Sequence, residues 1–183
     1  YVEVASFLDL FTGTYAVELS ESTLIDDAIT ALYTGYCDRA PDAAGAAYWL
    51  DQLEAGRTLA EISRSFSAQP EPGTLYGFLA TPTVGDAAAD FLVAVYGNLF
   101  GRTPDAAGAA YWIGQLTSGT TGVATAILDI LSGAQAGDAL VIANKVAVGN
   151  YYVAQTFNHH VSMTPASARQ ALDGIDYSAA SAR

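Results

Sequence analysis

Residues 41–49 read Pro-Asp-Ala-Ala-Gly-Ala-Ala-Tyr-Trp, and residues 104–112 read the same nine residues again at an offset of 63. Extended outward at that offset, the match pairs Tyr33 with Tyr96, Arg39 with Arg102, Gln52 with Gln115, Leu53 with Leu116 and Gly56 with Gly119. The unit is about 40 residues and occurs twice, which reads as a duplicated module whose halves pack together rather than as a long solenoid.

Each copy reads as helix, turn, helix, then a third helix. Ile25, Ile29, Leu32, Tyr33 and Tyr36 fall at helical spacing before the first motif, with Ser22, Thr23 and Asp26 as a capping-box opening, so an amphipathic helix is predicted there. Residues 85–100 repeat the stripe with Leu92, Val95, Tyr96 and Leu99. Pro41 and Pro104 suit a first helical turn, and Asp42 and Asp105 suit the positive end of the helix dipole, so the second helix of each copy is placed there. Inside it Gly45 and Gly108 each cost about 1 kcal/mol relative to Ala, which predicts that another helix crosses too close for a methyl group. Trp49 and Trp112, four residues on, would each bury on the order of 200 Å² and anchor the two half-cores. Tyr48 and Tyr111 complete the motif beside them. Gly56 and Gly119 supply the stops, and residues 59–68 and 123–132 the third helices.

Outside the copies, residues 2–11 predict a short helix and residues 75–80 a helical connector among Pro70, Pro72 and Pro82. Residues 137–157 are apolar nearly all round, the pattern of a helix buried on most of its surface and placed to brace both modules. Thr164 and Pro165 open a last helix reaching about Asp173. No alternation of period two is present, so the fold expected is all-α: one domain over 1–183, with repeats at about 23–69 and 86–135 and a bracing segment at 137–178.

Composition narrows the function. The chain has 183 residues, 51% of them hydrophobic, which is enough for a real core and excludes disorder. With 19 Asp and Glu against 7 Lys and Arg, a net charge of -12 and a pI near 4.1, it lacks the clustered cations that nucleic acid or a bare anionic membrane demands. Alanine fills 35 positions, which predicts closely packed helices. Mean hydropathy is +0.25, yet apolar runs such as Ala87–Tyr96 are broken by charge and fall short of the roughly 20 residues of a span, so no transmembrane segment is expected. No charged n-region with an apolar h-region follows Tyr1, so a signal peptide is either absent or already removed, and the run Tyr177–Arg183 reads as a linker or processing point.

Candidate chemistry is thin. Cys37 is the only cysteine and reads as a small buried hydrophobe. His159 and His160 are adjacent, pointing about 100 degrees apart on a helix, and a capping or solvated role outweighs ligation. Asp26 with Asp27, and Asp173 with Asp176, offer oxygens of the kind calcium takes but lack the spacing of a calcium loop. No cofactor is expected, calcium being the single candidate. Arg39 with Asp42 and Arg102 with Asp105 read as ion pairs that pin the turns. No phosphate loop, nucleophile elbow or zinc motif occurs, so no enzyme is expected. Tyr76, Tyr151, Tyr152 and Tyr177 lie outside the motif and are the candidate binding or interface residues, since rigid amphipathic rings serve sugars and protein contacts alike.

The residues Gly101, Arg102, Pro104, Asp105, Gly108, Tyr111 and Trp112 resemble the motif of a bacterial domain family of unknown function. That family is found in secreted surface-layer, RTX-type and adhesin-like proteins and is distantly similar to phycobilisome linker domains. The first copy departs from the motif only at Asp38, where the leading Gly would stand, and residues 144–152 (NKVAVGNYY) are similar to the family's C-terminal part. The resemblance implies an extracellular, often type I secreted, non-catalytic domain. Two functional expectations follow: a self-associating subunit or assembly domain of a bacterial surface layer, sheath or filament, and a module tethering a secreted protein to cell-surface polysaccharide.

Overall fold

The computed structural model describes residues 27–80, 85–135, 137–159 and 163–177, and within them every regular element is a helix. In chain order these are α1 Asp27–Cys37, α2 Ala43–Glu54, α3 Leu59–Ser67, α4 Pro70–Leu75, α5 Gly77–Ala80, α6 Gly85–Phe100, α7 Ala106–Ser118, α8 Ala126–Ser132, α9 Gly137–His159 and α10 Pro165–Gln170. The first copy supplies α1 to α3 and the second α6 to α8. The helix expected at 2–11, the cap at Ser22, Thr23 and Asp26, and His160 lie outside the described residues, as does the side chain of His159.

The stripe on α1 predicts one buried face, but the structure buries every residue from Ile29 to Cys37. The cause is position: α1 is packed against α9, α6, α3 and α8 at once. Its two threonines are accommodated by hydrogen bonds, Thr34 to the Thr30 carbonyl at 2.9 Å and Thr30 to the Asn150 side chain. Full burial of Ile29, Leu32 and the rings of this helix contributes roughly 1.5–3 kcal/mol each. Two glycines permit the approach. A Cβ at Gly35 would stand 2.8 Å from Ile127 Cγ2 on α8, and one at Gly149 on α9 would stand 2.7 Å from Thr30 Cγ2.

Thr58 and Glu61 form a capping box that fixes the start of α3. In the third helices Ile62 and Phe66 correspond to Ile127 and Leu131, an offset of 65, so the loop before α8 carries two extra residues and the helix opens at Ala126 rather than Val123. The difference alters the cores. Around Phe66 stand Tyr33 at 4.8 Å, Trp49 at 4.6 Å and Tyr36 at 6.1 Å between ring centroids, whereas the second copy places Leu131 at that position. The connector is two short helices, α4 and α5, broken at Tyr76.

The long helix α9 braces the modules as its composition predicts, packing against α1 and α2 of the first copy and α6 of the second. It keeps an outer edge in solvent at Leu140, Ala147 and Tyr151. Thr164 caps α10 by accepting the Ser167 backbone N–H at 3.1 Å, and the helix ends at Gln170, short of the expected Asp173.

Candidate functional site

The duplicated turns build one constellation twice. Asp42 accepts the Gly45 N–H at 2.8 Å, and Asp105 accepts the Gly108 N–H at 2.9 Å, so each aspartate is the N-cap of its helix. Pro41 and Pro104 therefore stand just before the cap and not inside the first turn, a correction of one turn position. The residue three before each proline turns left-handed: Gly101 does so at φ 67, and Asp38 in the same position of the first copy adopts φ 52. Asp38 is held there by Arg169 of α10 at 3.0 Å, while partial burial still raises its carboxyl above the usual range.

The two arginines do not chiefly pin their own turns. Arg39 places its guanidinium 5.0 Å from the Tyr33 ring and binds Glu71 on α4 with both arms, at 2.8 and 2.9 Å. Its contact with Asp42 is a longer 3.5 Å. Arg102 lies 5.3 Å from the Tyr96 ring and binds Asp138 on α9 the same way, at 2.8 and 2.6 Å, in place of the expected Asp105. Each arginine also donates to the next residue's carbonyl, Ala40 at 2.9 Å and Thr103 at 3.0 Å. A fork that meets a carboxylate with two parallel N–H groups is well matched in geometry. Each three-helix module is thus closed by the first turn of the helix after it. Glu71 and Asp138 escaped the sequence reading because they stand 67 residues apart, off the repeat offset.

Gly45 behaves as expected in kind: a Cβ there would run into the Tyr33 hydroxyl. Gly108 does not, its nearest neighbours being an ordinary 3.6 Å away. The tryptophans also part company. Trp49 is 5% exposed and stacked on Phe66, whereas Trp112 is half-buried and is a weaker anchor than its composition suggests.

The copies differ in cover. In the first, the turn is overlain by α10: Ala40 donates its N–H to the Ala168 carbonyl at 3.2 Å, Pro41 is fully buried, and α2 packs against α9. In the second, Gly101, Arg102, Thr103 and Asp105 are exposed, and α7 packs mainly against α6.

Among the candidate tyrosines, Tyr76 is buried; its hydroxyl meets Asn98 and lies 3.5 Å from the Gly35 carbonyl, so it is a core residue and presents nothing to a partner. Tyr152 is half-buried and donates to Ser167 at 2.8 Å, tying α9 to α10. Tyr151 and Tyr177 are exposed, at 66% and 68%. The sequence reading passed over Tyr48 and Tyr111, assigned to the motif yet 53% and 58% exposed, each edge-on to its neighbouring tryptophan at about 5 Å. Their signal was available: in a helix, neighbours point about 100 degrees apart, so a tryptophan turned inward leaves the adjoining tyrosine outward.

Cys37 is buried as expected, its thiol pushed up to about 12 by desolvation. Lys145, the one lysine, is buried too and donates to the Asn98 carbonyl at 2.6 Å in the last turn of α6. Among the described residues no group of three or more His, Cys, Asp or Glu side chains is placed to share a metal ion. Asp27 accepts the Asn150 amide at 2.7 Å. No single helix among the described residues is long and apolar enough to cross a membrane. The charged groups of the constellation are engaged in caps and clamps, and the aromatic group that both copies turn to solvent is a tyrosine ring.

Fold and constellation define a duplicated all-α module. The chain belongs to the family described as a domain of unknown function (DUF4214), which matches it in two adjacent segments, residues 6–76 and 80–134. No curated protein and no solved structure matches the chain.

Proposed function

We propose that this chain is an extracellular structural protein of the bacterial surface, a self-assembling subunit or assembly domain of a surface layer, sheath or filament. The observation that carries the reading is the unequal cover of two copies of one module. Both modules are clamped by the next helix, but the turn of the first is also covered by α10, whereas the second keeps its turn and the flank of Trp112 exposed, a surface that another copy of the chain can cover. Alanine-rich helices allow close contact between subunits, and at a net charge of -12 association is favoured when carboxylates are screened or neutralised. Neither catalysis nor a resident cofactor enters this reading, and the acidity disfavours nucleic acid as a partner.

The test is negative-stain electron microscopy with light scattering of the purified protein across a salt and calcium series. Ordered filaments or sheets support the reading, and a persistent monodisperse monomer sinks it. A second reading, a non-catalytic module anchoring a secreted protein to cell-surface polysaccharide, is favoured by the exposed rings of Tyr48, Tyr111, Tyr151 and Tyr177. Retention on a glycan array that is lost in Tyr48→Ala and Tyr111→Ala variants would select it.

A further inference from the structure

We draw no further inference here: the strongest candidate, the uncharged outer face of α7 around Tyr111 with the half-buried Trp112 beside it, is an unpartnered apolar surface, and nothing in the structure shows what covers it.

Discussion

Asn98 and Gly35 hold the same position in the two copies of the repeat, and they touch: the Asn98 side-chain amide donates to the Gly35 carbonyl at 3.2 Å. Equivalent residues meet in this way where a symmetric pair crosses its own axis, so α1 and α6 pack as the halves of an isologous dimer do, within one chain. The same amide meets the Tyr76 hydroxyl. Asn98→Ala strips a partner from both groups at this crossing and is expected to cost about 1–3 kcal/mol in urea unfolding. A loss under about 0.5 kcal/mol would mean that the crossing is held by apolar packing alone.

The two arginine clamps share a geometry and differ in burial. The Arg39 side chain is 8% exposed and that of Arg102 is 42% exposed. Arg39→Ala strips the buried Ala40 carbonyl and the Tyr33 ring of their partner, while Glu71, 36% exposed, regains water, so a loss of about 2 kcal/mol is expected. Arg102→Ala is expected to lose about 1 kcal/mol or less, because water screens the exposed pair. Equal losses in denaturant titrations would contradict the difference in cover.

Gly45 and Gly108 separate in the same manner. Gly108→Ala places a methyl in ordinary contact and is expected to stabilise by up to about 1 kcal/mol through helix propensity. Gly45→Ala must displace the Tyr33 hydroxyl, whose ring is wedged between Phe66 and Arg39, and is expected to destabilise. Thermal melts of the two variants should move in opposite directions.

Alkali should weaken the fold from about pH 9. Burial holds the Cys37 thiol at about 12 and raises Tyr33, Tyr36 and Tyr76 above the usual phenol range. Above about pH 9 the unfolded chain releases the thiol proton while the folded chain keeps it, so stability falls by about 1.4 kcal/mol per pH unit for that group. The tyrosines add to the loss above about pH 10. Lys145 acts oppositely: burial lowers its affinity for a proton, so the unfolded chain binds it better and stability gains as pH rises toward about 10.4. Tyr96 is raised by burial as well, so one group opposes five. Cys37→Ala should move the onset from about pH 9 to about pH 10, and native Cys37 should resist thiol reagents at pH 8 until denaturant is added.

The fold was legible where local pattern and tertiary place agree. Pro-Asp before an alanine run announces a helix start, though early, since Asp42 and Asp105 are themselves the caps; Gly56 and Gly119 announce stops, and α9 is marked by its apolar length. Cover was not legible, because the two motifs are identical through nine residues, and what distinguishes Trp49 from Trp112 lies elsewhere in sequence. Phe66 against Leu131 and the placement of α9 and α10 make that difference. Glu71, Asp138 and the Gly35–Asn98 contact were missed for the same reason, being partnerships between segments that periodicity treats separately. Tyr76 misled the reading in the other direction, since a tyrosine outside a motif carries no mark of whether its ring faces core or water.

The first copy buries its tryptophan and the second leaves it at the surface, and acrylamide quenching of single-tryptophan variants tests that difference directly. In Trp112→Phe the remaining Trp49 should be nearly inaccessible, while in Trp49→Phe the remaining Trp112 should quench readily in dilute solution and become protected as concentration and salt bring copies together. Equal quenching of the two, or a Trp112 shielded at the lowest concentration, would contradict it.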